Sequence, residues 1–129
     1  MKFVTPPGWP RPKGYAHGIA ARGTLVFVSG QIGWDERQQF VSDEITGQVR
    51  RALENVVAVV IAAGGGPADI VRLTWYVVDK RAYLDAAPAI GEAYRAVMGK
   101  HYPAMSVVEV RALVEDRALV EIEATAILP

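Results

Sequence analysis

The last quarter of the chain constrains its fold most. Residues 103–110 and 119–127 both read as β-strands. In the second run Val120, Ile122, Ala124, Ala126 and Leu128 point one way. Leu119, Glu121, Glu123, Thr125 and Ile127 point the other, because successive strand side chains alternate faces. The first face needs a cover of apolar side chains. The second carries two carboxylates, which sheet packing alone does not require, so chemistry is sought there first.

The upstream chain supplies the cover. Residues 1–14 hold four prolines and two glycines and read as an extended surface arm. A short strand at 19–21, the Arg22-Gly23 turn and an apolar strand at 24–29 together predict a hairpin. A helix begins at Ser42-Asp43-Glu44, with Ile45, Val49, Ala52, Val56, Val59, Val60 and Ala63 on one stripe, and Gly64-Gly65-Gly66-Pro67 ends it. A strand over 70–78 follows. A turn is expected near 83–86, then a helix over 88–98 with Ile90, Ala93, Tyr94 and Val97 inward. One helix from residue 82, distorted at Pro88, is the competing reading.

The order is ββαβαββ. It predicts one α+β domain over residues 1–129, a two-layer sandwich of a single sheet with two helices on one face. The uncovered face would present Met105, Val107, Leu119 and Ile127 beside Glu109, Glu121 and Glu123. A half-apolar sheet face makes a poor solvent surface, so a homo-oligomer is expected.

Composition narrows the chemistry. The absence of cysteine excludes a disulfide framework, a thiol nucleophile and a thiolate metal site. Two distant histidines, His17 and His101, argue against zinc, so no metal site is expected. Fourteen basic residues balance fourteen acidic ones, which favours neither nucleic acid nor a membrane surface. No signal peptide or membrane span is read, and a cytoplasmic location is expected.

Glu121 is the leading candidate. Desolvation beside apolar neighbours moves a carboxylate towards the range useful for general acid/base work. The alternative role is a salt bridge to an arginine of this or another chain, a role that suits Glu123 still better. Tyr15 and Ser29 are hydroxyls beside glycines and can orient a polar ligand, although such residues commonly just end strands and turns. His17 could shuttle a proton; His101 is given no role. The triple glycine follows a helix and lacks a P-loop lysine, so it is read as a cap.

Residues 27–33 (Phe-Val-Ser-Gly-Gln-Ile-Gly), Gln48, Leu53-Glu54-Asn55-Val56, Ala62-Ala63-Gly64, Asp69-Ile70-Val71, 103–110 and 120–124 together resemble the Rid/YjgF family, also called endoribonuclease L-PSP. The resemblance runs from about Tyr15 to Ile127. It implies a chorismate-mutase-like fold with a mixed sheet, and a homotrimer with ligand clefts between subunits. It also implies a cofactor-independent hydrolase of imines and enamines such as 2-aminoacrylate, with water as nucleophile. Glu121 matches the residue that positions water and handles protons. Tyr15, Ser29 and Gly30 match residues that line the cleft.

Three positions depart from the RidA-type pattern. Met105 stands where those members carry the arginine that holds the substrate carboxylate. Gly91 stands where many have asparagine, and Val107 where cysteine or threonine is frequent. Arg111, six residues beyond Met105, lies ~20 Å further along an extended strand and cannot substitute. The expectation is a cleft that binds a small, relatively apolar or uncharged metabolite, with poor 2-aminoacrylate deamination. A non-catalytic ligand-binding or interaction module on the same scaffold is the second reading. RNA cleavage, from the family's older name, is the third and is weakened by the balanced charge.

Overall fold

The computed structural model describes all residues, 1–129. Ten elements follow in order: β1 (Lys2–Val4), β2 (Gly18–Ala20), β3 (Thr24–Ile32), α1 (Ile45–Ala62), a 3-10 turn (Pro67–Asp69), β4 (Ile70–Val77), α2 (Lys80–Asp85), α3 (Ala87–Met98), β5 (Ala104–Glu109) and β6 (Val120–Leu128). The main sheet runs β3-β6-β4-β5. Only β4 and β5 are parallel; the other pairs are antiparallel. This is the α+β layer arrangement read from the sequence, with a mixed sheet.

The helices cover one face. Val49, Ala52, Leu53, Val56 and Val60 of α1 and Ile90, Tyr94 and Met98 of α3 form the core with Leu73, Trp75 and Val77 of β4 and the Val120-Ile122-Ala124-Ala126 row of β6. Leu53, Ile70, Leu73 and Ile122 are fully buried. Each such side chain contributes about 1.5–3 kcal/mol. No helix is long and apolar enough to cross a membrane.

Five expectations need correction. First, β2 and β3 form no hairpin. β2 pairs with β1 in a separate two-stranded ribbon, whereas β3 pairs along β6. Gly23 turns the chain at φ 144°, where a Cβ would fall 1.8 Å from the Leu128 carbonyl oxygen. That close approach docks β3 on the end of β6, and the nine-residue β3 gains a longer ladder than a three-residue β2 could offer.

Second, the two strands of the last quarter, expected to share the uncovered face, are separated by β4. The crossover through α2 and α3 returns β5 parallel to β4, as a βαβ connection requires. Third, and in consequence, Met105 and Val107 pair with Leu73 and Trp75, and Glu109 with Val77, all on the helix side of β4. They do not share the uncovered face with Glu121 and Glu123. Leu25 and Phe27 of β3 lie there instead, across from Ile127 and Thr125, and Phe27 is 74% exposed.

Fourth, the α1 stripe is rotated. Val59 and Ala63 are exposed, and Gln48, Leu53 and Val57 are buried in their place. Gln48 earns its burial by three hydrogen bonds: its amide donates to the Ser42 and Arg117 carbonyls and accepts from the Leu119 N–H. Ser42 sits before the helix and accepts from the Glu44 N–H rather than capping the first turn directly. Fifth, the expected turn at 83–86 is itself largely helical. Asp79 caps α2 by accepting from the Ala82 N–H, and the break falls at Ala86, with Pro88 in the first turn of α3.

Candidate functional site

One group of candidate residues gathers where β3 is irregular. Between Val28, opposite Ala124, and Gln31, opposite Ile122, β3 has one residue more than β6. The bulge at Ser29 and Gly30 re-aims the strand. Glu121 reaches across to it. A Cβ built on Gly30 would lie 2.3 Å from Glu121 Oε2 and 2.6 Å from its carboxyl carbon. The glycine therefore makes room for the carboxylate. The Gln31 side-chain amide donates to the Ser29 carbonyl and hydroxyl oxygens at 3.2 and 3.3 Å, which fixes the other side of the bulge.

The two glutamates of β6 differ in their engagement. Glu123 accepts a 2.7 Å hydrogen bond from the Tyr76 hydroxyl. That bond, with desolvation second, raises the Tyr76 pKa above the ordinary tyrosine value. Glu121 is half-buried and has neither a side-chain hydrogen bond nor an ion pair within the chain, whose two salt bridges are Arg51–Glu36 and Arg117–Asp43. The salt-bridge role considered for Glu121 thus has no partner in its own chain.

A second group lies on the opposite side of the sheet. Between β5 and α3 is a groove of about 340 Å³ whose walls include Trp75, Tyr83, Ile90, Gly91, Arg95 and Met105. Tyr94 and Tyr102 stack at its base with ring centres 5.2 Å apart, and Trp75 lies 6.2 Å from Tyr94. The Tyr94 hydroxyl donates to the His101 carbonyl at 2.5 Å. Burial, with Tyr102 beside it, pushes the Tyr94 pKa well above the usual tyrosine range; burial alone raises Tyr83. These phenols stay neutral near pH 7 and act as walls rather than acids. The indole N–H of Trp75 is buried without a partner.

Tyr15 belongs to this second side. The Ala16 N–H donates to the Pro103 carbonyl at 3.0 Å, and Ala16 bridges to Ala104, so the segment is tied to the start of β5. Tyr15 and Trp9 meet the ring of His17 edge-on, at 5.3 and 4.9 Å. Tyr15 lines a neighbouring groove that shares Gly14 and Tyr102 with the first. Val107 sits two residues beyond Met105 on the same face of β5, 38% exposed and outside the groove.

A family model for endoribonuclease L-PSP matches residues 10–128. The chain belongs to this family, the Rid/YjgF proteins. It is 38% identical to a 2-iminobutanoate/2-iminopropanoate deaminase of Salmonella typhimurium over 116 residues, which cover 88% of this chain and 86% of the relative. Among solved structures, a Rid-family protein of Yersinia pestis, YyfB, superimposes with a TM-score of 0.85 at 30% identity, covering 98% of each chain. The TdcF protein of E. coli, solved with bound serine, gives a TM-score of 0.71 at 33% identity over the whole of both chains.

In this Rid-family chain the seven expected site residues fall into two groups on opposite sides of the sheet. Ser29, Gly30 and Glu121 lie at the β3 bulge. Met105 and Gly91 line the α3 groove, with Tyr15 in the adjoining groove and Val107 at the edge. Met105 pairs with Leu73 on the helix side, and Glu121 pairs with Tyr76 on the uncovered side. A single subunit cannot bring both to one small ligand. Arg95 was not among the expected residues. Its position one helical turn after Gly91 is visible in the sequence, but only the α3–β5 packing reveals that it borders the groove.

Proposed function

We propose that this Rid-family protein hydrolyses the C=N bond of a small imine, or of the enamine that tautomerises to it, in clefts between the subunits of a homotrimer. The observation that carries the reading is the unpaired Glu121 carboxylate held over Gly30 while Glu123 is occupied by Tyr76. In each cleft the β3 bulge of one subunit meets the α3 groove of the next, which completes a site that one chain leaves divided. The half-apolar uncovered sheet supports such an assembly.

Glu121 takes a proton from water as the oxygen adds to the imine carbon. It returns the proton to nitrogen to give the carbinolamine, then takes the hydroxyl proton as the C=O bond forms and delivers it to nitrogen as the C–N bond breaks, releasing a carbonyl compound and ammonia. A carboxylate serves both steps because it alternates between base and acid. Water is the nucleophile, and no cofactor is needed. The names of the deaminase relatives support this reaction class.

Met105 narrows the substrate. Methionine offers neither charge nor donor where RidA-type members have arginine. The loss of such a charged hydrogen-bond pair costs ~2–5 kcal/mol, or ~30-fold to several-thousand-fold for a carboxylate bound there. The three-carbon enamine 2-aminoacrylate is therefore a poor substrate, and one with a larger apolar part is better matched to Met105 and the aromatic walls. The test is Glu121→Ala assayed against a panel of imines generated in place by an amino-acid oxidase. Turnover should vanish while ligand binding persists. Binding by the unmodified protein with no turnover of any imine would favour the non-catalytic module instead.

A further inference from the structure

We infer that Arg95 is the anion-binding residue of the α3 groove, and that the ligand there is a small carboxylate bearing an aromatic or branched apolar group. The inference rests on reading that groove as the substrate-binding half of the cleft. Arg95 is exposed and makes no ion pair and no side-chain hydrogen bond within the chain. Its guanidinium folds back over Gly91, where a Cβ would lie 3.4 Å from Nη1. Any side chain longer than alanine at position 91 would compete for the space that the guanidinium uses.

The surroundings suit an anion. No acidic side chain lines this groove or the adjoining one, whose walls add Arg11 and Lys100. Three cations without an ion-pair partner, Arg95 in one groove and Arg11 and Lys100 in its neighbour, give a positive local potential. Guanidinium binds carboxylate through two parallel N–H···O bonds, which a lysine cannot reproduce. Between that cation and Met105 the walls are Trp75, Tyr83, Ile90 and Tyr94, so the remainder of the ligand is apolar. The cation sits on α3 rather than on β5, so it holds the carboxylate from a different wall of the groove than the position 105 side chain. This favours a longer acid over a three-carbon one.

Titration calorimetry with 3-phenylpropanoate and 3-phenylpropanamide tests the assignment on the assembled protein. The acid should bind, Arg95→Gln should weaken it at least about tenfold, and the amide should bind weakly and be indifferent to the substitution. Arg95→Lys should recover only part of the affinity. Equal affinity of the acid for wild type and Arg95→Gln, or equal affinity of acid and amide, would overturn it. So would loss of the oligomer in Arg95→Gln by sedimentation, which would make the guanidinium an interface partner. Glu121→Gln separates the two readings: it should keep Arg95-dependent binding of the acid. Arg95-independent binding alongside Glu121-dependent turnover would sink the arginine assignment alone, whereas Arg95-dependent binding with no turnover would sink the hydrolase alone.

Discussion

The carboxylate of Glu121 rests on Gly30, at the one place where β3 carries an extra residue relative to β6. Sheet register sets the reach of the acid, and the missing Cβ sets its position.

Gly30→Ala is expected to push that carboxylate aside. The clash is with a side chain rather than backbone, so the fold should yield by only about 1 kcal/mol or less. Turnover should fall at least about tenfold, because a displacement near 1 Å is enough to cost that much in an oriented reaction. Thermal melts and imine hydrolysis on the same preparation check this. Unchanged turnover would remove Gly30 from the site.

Met105→Arg is expected to raise 2-aminoacrylate deamination by about 30-fold or more over a low wild-type rate, since it adds a carboxylate clamp. Pyruvate release from 2-aminoacrylate generated in place is the measurement. Rapid deamination by the wild type would refute the argument from Met105.

Phe27 lies across from Thr125 on the uncovered sheet face and is 74% exposed in the single chain. Phe27→Asp should leave the helix-side core intact but disperse the proposed trimer and abolish turnover, because the proposed cleft draws on two subunits. Sedimentation at micromolar concentration gives the mass, and circular dichroism checks the fold. A wild type that sediments only as monomer would end the trimeric proposal.

Stability should decline at alkaline pH through the buried Tyr94 and the half-buried Tyr83. Burial raises the folded-state pKa of Tyr94, and also that of Tyr83, above the unfolded value near 10. A raised pKa means that the folded state holds its proton more tightly. The contribution is therefore intact below pH 10 and is lost as pH rises from there through the folded pKa. Each such group steepens the decline by up to about 1.4 kcal/mol per pH unit. Tyr94→Phe should be less stable at pH 8, through loss of the bond to the His101 carbonyl, yet show a shallower fall above pH 10. Urea melts at pH 8 and 10.5 measure both effects; equal slopes would contradict the burial argument.

Local pattern made much of this protein legible. The alternation of β6 placed Val120, Ile122, Ala124 and Ala126 inward and Glu121 and Glu123 outward, as found. The glycines after α1 end it, with the Gly64 and Gly65 N–H groups donating to the Ile61 and Val60 carbonyls. Pro88 marks the first turn of α3. Side-chain periodicity and backbone stops act over a few residues, so the sequence states them directly, and the family motifs add the overall fold.

What the sequence could not state was which strand lies beside which. It placed Met105 with Glu121 because both occupy strands of the last quarter. The tertiary structure inserts β4 between those strands and pairs Met105 with Leu73, which turns the methionine to the helix side. The same packing brings Arg95 of α3 to the groove beside it. Strand pairing joins segments tens of residues apart, and one step of register reverses every side chain. The composition of each strand is therefore written locally, but the face on which its chemistry appears is decided by its neighbours.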